Sequence, residues 1–187
     1  QDKSLVNLGS QTLEFRETHQ PWVASMFLKL EHDYRRVVHV DITRGHGIDY
    51  ALYLMNPRDV REAIELGDVF LISNLLEHLE DPQIFMSTLA AEGKGKGKTY
   101  IFSGPSSFPY HPDPLDNRFR PKGPEDFQRI STESIVEDWA LVSSFHFWKV
   151  VGKSLPEPVR FAYRLAAALG SLLRAVASKS TEPMIGW

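Results

Sequence analysis

The sequence predicts an α/β three-layer sandwich: a mostly parallel sheet covered by helices on both faces, with an added C-terminal helix. Two observations carry this. Short apolar runs at residues 5–8, 37–42 and 69–72 are each bounded by turn or polar residues, as strands buried on both faces are. Each run is followed by a helical pattern, and that alternation implies right-handed βαβ units and a parallel sheet.

The elements follow in order. A strand at residues 5–8 leads to a crossover helix over residues 21–30, opened by Pro21. After the strand at 37–42, Asn56 is placed to cap a second helix, Pro57 sits at its first position and Gly67 ends it. The strand at 69–72 is followed by Asp81 and Pro82, which open a helix carrying Ile84, Phe85 and Leu89. A glycine-lysine repeat at 93–98 turns the chain into a fourth strand at 99–102. Residues 103–123 are rich in proline and aromatics; loops of this length are commonly functional lids, and the aromatic content argues against disorder. A helix from residue 124, another near 134–139 and a strand at 141–147 complete the sheet. Residues 156–179 read as one helix with Val159, Phe161, Leu165, Leu169, Leu172, Leu173 and Val176 on one side. The expected division is therefore a sheet domain over 1–150 and a helical extension over 151–187.

A chain of 187 residues fits one such domain. With 42% apolar and 24% charged residues, neither a disordered nor a fibrous class is suggested. The net charge of -3 and the lack of a Lys/Arg-rich run argue against nucleic acid as a partner. The sequence has no cysteine, which excludes disulfides, thiolate metal ligands and a cysteine nucleophile; a reducing compartment, and so a cytoplasmic location, is the expectation. The N-terminus shows no secretion signal, and no run approaches the ~20 apolar residues of a membrane span. Because a strand starts at residue 4, an upstream segment absent from this chain is also anticipated. The C-terminal helix, with Arg160, Arg164, Arg174 and Lys179 spread around it, has too wide an apolar stripe to leave in water. It is expected to pack on its own domain or in a homodimer, ahead of lying on an anionic membrane surface.

Ligands of open α/β sheets sit beyond the carboxyl ends of the strands, so the loops after Leu8, Ile42, Ile72 and Phe102 are expected to line the site. Gly9 can let its backbone approach a ligand closely, and it also reads as a simple turn after a strand. Asp41 can accept hydrogen bonds from both hydroxyls of an adenosine ribose, or serve as a cap. Ser73, Asn74 and Leu75 follow the neighbouring strand.

The run from Asp68 to Ile72, continuing through Leu76, Glu77, His78, Leu79, Asp81 and Pro82, resembles the post-strand motif of class I S-adenosylmethionine-dependent methyltransferases. Leu8, Gly9 and Ser10 are similar to the first motif of that family, and Val40, Asp41 and Ile42 to the second. Tyr110, His111, Pro112, Asp113, Pro114, Leu115 and Asp116 resemble a loop of bacterial methyltransferase-like proteins, some encoded with surface-polysaccharide enzymes. The likeness spans about residues 5–147. It implies a Rossmann-like domain that binds S-adenosylmethionine through Gly9, Ser10, Asp41, Ser73, Asn74 and Leu75. It also implies a small-molecule or saccharide acceptor met by Tyr110, Asp113 and Asp116.

In-line positioning supplies much of the acceleration in methyl transfer, and a base is needed only for a hydroxyl or protonated amine acceptor. His111 and His78 are the candidates, with Asp113 or Asp116 to orient the imidazole. The plainer alternatives are that His78 braces a helix start and that His111 packs on Tyr110 or Phe108. The chain departs from the family pattern in having a single glycine in its first turn, Tyr53 near a place often held by an acid, and the glycine-lysine repeat in place of a Pro-Gly-Gly turn. These departures point to a second hypothesis, a non-catalytic methyltransferase-like binding or assembly module. A divalent-metal site at His111, Asp113 and Asp116 ranks last, because the prolines flanking Asp113 oppose convergence of the three side chains; no metal is expected.

Overall fold

Alternating apolar side chains build a five-stranded sheet: β1 (Ser4–Leu8), β2 (Arg36–Asp41), β3 (Tyr50–Ala51), β4 (Val69–Ser73) and β5 (Thr99–Ser103). Every pairing is parallel, and the order across the sheet is β3-β2-β1-β4-β5. This is a Rossmann-like α/β arrangement in which β1 lies between β2 and β4. The chain leaves β1 toward one edge and returns on its other side, so the topological switch point lies at the carboxyl ends of β1 and β4. The computed structural model describes residues 2–106 and 115–131.

The strand periodicity of two sorts side chains to opposite faces. On one face Val6, Leu8, Val38, Val40, Phe70 and Ile72 join Val60, Ala63 and Ile64 of helix α3 (Pro57–Glu65) and Phe85, Met86 and Leu89 of helix α4 (Pro82–Gly93). On the other, Leu5 and Val69 pack on Phe27 of helix α2 (Pro21–Asp33), with Val23 and Leu30 of that helix beside them. Helices thus cover both faces. A short helix α1 (Leu13–Thr18) precedes α2, and α5 (Pro124–Ile130) follows the loop after β5.

Local chemistry sets the helix ends. The Asn56 side chain accepts from the Arg58 amide, and Asp81 accepts from the amides of Gln83 and Ile84. Proline stands at the start of both helices, where its missing N–H is not needed. Strand β2 ends at Asp41, one residue before the apolar run does, and Ile42 is 64% exposed.

By its contacts the chain divides into two compact units, Gln1–Glu137 and Asp138–Trp187, and the described residues all belong to the first. The helix expected near 134–139, the strand at 141–147, the boundary at 150 and the C-terminal helix, with its dimer and membrane alternatives, lie outside the described residues. No described helix is long and apolar enough to cross a membrane.

Candidate functional site

The loops after β1, β2 and β4 meet at the switch point. Gly9 leaves β1 with φ +73°, a left-handed conformation that side chains disfavour. A Cβ there would lie 2.9 Å from Leu75 Cδ1, so the turn after β1 and the loop after β4 are in direct contact. The Gly9 and Ser10 amides both donate to the Val40 carbonyl, at 2.9 and 3.0 Å. That ties the first loop to the end of β2. Gln11 follows with φ 59°.

Asp41 is 6% exposed. Its Oδ2 accepts the Gln11 amide at 2.9 Å, while Oδ1 accepts the Thr43 amide at 3.1 Å and hydroxyl at 3.0 Å. The carboxylate thus links the turn after β1 to its own loop. A carboxylate offers about four acceptor positions, and three are used internally.

Beneath these loops lies a buried charge. Arg16 of α1 is 3% exposed. Its guanidinium donates to the carbonyls of Ser10 at 3.2 Å, Gln11 at 2.6 Å and Gly47 at 3.1 Å. Burial lowers its pKa, and Asp49 and Asp41 oppose that shift through space. Next to it His39 of β2 receives the Asn7 side-chain amide at 3.3 Å and stacks edge-on against Phe27. Burial first, then the Arg16 charge, push His39 down to about 4 against the pull of Asp49. The ring is therefore neutral at pH 7, with Nδ1 accepting from Asn7 and the proton on Nε2.

On the far side of the switch point, Ser73 Oγ pairs with Ser103 Oγ at 2.7 Å, and Asn74, with φ 49°, donates its amide to the Ser103 carbonyl at 2.9 Å. A 3-10 turn, Leu76–His78, follows. Glu77 within it is 2% exposed. Residues 115–120 dock on this turn. The Asn117 side chain donates to the carbonyls of Leu76 at 2.7 Å and Leu79 at 2.8 Å, and its amide donates to the Glu77 carbonyl at 2.8 Å. His78 Nδ1 lies 2.6 Å from the Leu115 carbonyl oxygen. A carbonyl only accepts, so Nδ1 carries a proton and donates it to Leu115.

Asp116, with a fully buried side chain, forms a two-pronged ion pair with Arg120, at 3.0 and 2.5 Å, and accepts the Arg118 amide at 2.7 Å. Its carboxylate thus braces its own loop. Tyr53 is 41% exposed and donates its hydroxyl to Glu80 at 3.0 Å, so an acid from the loop after β4 stands beside it.

The fold brings together Gly9, Ser10, Asp41 and Leu75, with Ser73, Asn74 and His78 on the adjoining loop. Tyr110, His111 and Asp113, and with them residues 107–114 of the anticipated lid, lie outside the described residues. Among the described residues no group of three His, Asp or Glu side chains could hold a metal ion. Arg16, His39 and Asn117 escaped sequence reasoning. For Arg16 a signal existed: Thr12 caps α1, accepting the Phe15 amide at 3.2 Å, and Glu14 lies in the first turn, a helix-start pattern. No protein-family model matches the chain, and no curated protein matches it.

Proposed function

We propose that this chain is a class I methyltransferase-like domain that binds S-adenosylmethionine at the β1/β4 switch point and methylates a small-molecule or saccharide acceptor. The observation that carries the reading is the meeting of the loops after β1, β2 and β4 around Asp41, the one carboxylate at the carboxyl end of β2. The fit rests on residue type. Gly9 brings backbone close to the crevice, and Asp41 keeps one acceptor position beyond its three internal donors, enough for a ribose hydroxyl.

S-adenosylmethionine, when bound, would supply a methyl group already activated by its sulfonium, so the protein's task is alignment. Gly9 and Ser10 would border the cofactor, and Ser73, Asn74 and Leu75 would flank its base. His78, oriented by its Nδ1 bond to the Leu115 carbonyl, would be the residue to take a proton from an acceptor hydroxyl.

The second reading, a non-catalytic module, is favoured by one observation: Asp41 is buried and holds three internal hydrogen bonds. Calorimetric titration with S-adenosylhomocysteine separates the two. An enzyme gives saturable heat that Asp41→Asn weakens roughly ten- to hundredfold, the worth of a charge-assisted hydrogen bond. No heat at millimolar ligand, with the fold intact by circular dichroism, favours the module.

A further inference from the structure

The buried guanidinium of Arg16 is absorbed by neither reading. It is 3% exposed, and its hydrogen bonds reach only backbone carbonyls: Ser10 and Gln11 in the turn after β1 and Gly47 in the loop after β2. The charges that oppose its desolvation, Asp49 and Asp41, act through space. Burying an arginine this way is costly, and the surrounding backbone is built to receive it. Gly47 has φ +78°, and a Cβ there would meet Leu13 Cβ at 2.6 Å and Arg16 Nη2 at 2.9 Å. Only glycine lets that carbonyl reach the guanidinium.

The turn it grips is strained. Gln11 adopts φ 59°, a conformation that non-glycine residues hold only when their surroundings over-determine it. Two contacts do so: Arg16 pulls the Gln11 carbonyl inward at 2.6 Å, and Asp41 draws the Gln11 amide at 2.9 Å. The same amide occupies the Asp41 carboxylate, so the pose of Asp41 depends on the pose of Gln11.

We propose that Arg16 is a positioning residue of the nucleoside site: by gripping the Ser10, Gln11 and Gly47 carbonyls it holds Gln11 left-handed, and through Gln11 it sets Asp41 for a ribose. This rests on the nucleoside reading above. A planar guanidinium spans three carbonyls at once, whereas a lysine ammonium is a compact point charge on a flexible stem. Arg16→Lys therefore keeps the charge and loses the grip. A glycine at position 11 adopts the left-handed turn without being held, so it should offset the loss of the arginine.

The test is S-adenosylhomocysteine titration of the full chain and of Arg16→Lys, Arg16→Met, Gln11→Gly and the Arg16→Met/Gln11→Gly pair, each checked for folding by circular dichroism. Arg16→Lys and Arg16→Met are expected to weaken binding about ten- to hundredfold, from the loss of charged hydrogen bonds. The pair is expected to recover part of that loss, which a general packing role would not produce. Unchanged affinity in both Arg16 variants, or no recovery in the pair, overturns the proposal. Absence of binding by the native chain removes the nucleoside reading and this role with it, an outcome distinct from a native chain that binds and variants that bind equally well. Should both Arg16 variants unfold, Gln11→Gly alone decides: native-like or tighter binding supports the proposal, and a tenfold loss contradicts it.

Discussion

Among single residues, His39 shows how a buried site becomes sensitive to pH. Its folded pKa is about 4, below the ordinary histidine value of about 6.5. Between those values the unfolded chain binds the proton that the folded chain refuses, so stability rises with pH there. The contribution is fully present above about pH 6.5 and is lost as pH falls through the folded value. In urea unfolding at fixed pH, the native chain should lose stability from pH 6.5 to 4, and His39→Gln should lose less; equal slopes would contradict the assignment. Gly9→Ala tests the turn after β1. An alanine at φ +73° costs about 1–2 kcal/mol and displaces Leu75, so the urea midpoint should fall and nucleoside binding should weaken with it. A neutral result would mean that the turn relaxes. The places of Asp41 at the end of β2 and of Gly9 in the turn after β1 were legible in the sequence, because residue type and the apolar runs before them sufficed. His39 was not, because its partner Asn7 lies 32 positions away, and Arg16 was not, because the Gly47 carbonyl that completes its grip lies 31 positions away.

Element boundaries were legible where the chemistry is local. Asn56 with Pro57, and Asp81 with Pro82, mark their helices in the chain itself, since a cap needs only the next three residues. Residues 115–120 are held on the 3-10 turn by nonlocal bonds, 38 and 41 positions apart for the Asn117 side chain, which no window of sequence displays. That contrast is measurable. Asn117→Ala removes donors from two carbonyls and should cost about 2–4 kcal/mol, whereas Asn56→Ala, losing one cap, should cost about 1 kcal/mol. Equal costs in urea unfolding would show that the 115–120 segment adds little to the fold. The short helix α1 was missed because six residues give too little periodicity to stand out from a loop.

For the whole molecule, alternation of strand and helix was enough to specify a parallel sheet, because right-handed crossovers leave few topologies. The place of the proposed site follows from the strand order β3-β2-β1-β4-β5, which turns at β1, where ligands of open α/β sheets sit. What the proposed site would hold depends on Asp41, Arg16 and the turn after β1, whose placement is a matter of ångströms that pattern reading does not reach. The most direct test maps backbone amide chemical shifts of the labelled chain as S-adenosylhomocysteine is added. Saturable shifts are expected at Gly9, Ser10, Gln11, Asp41, Asn74 and Leu75, with little change at the glycine-lysine turn of residues 93–98. Shifts confined to that turn, or none at millimolar ligand, would contradict a nucleoside site at the switch point.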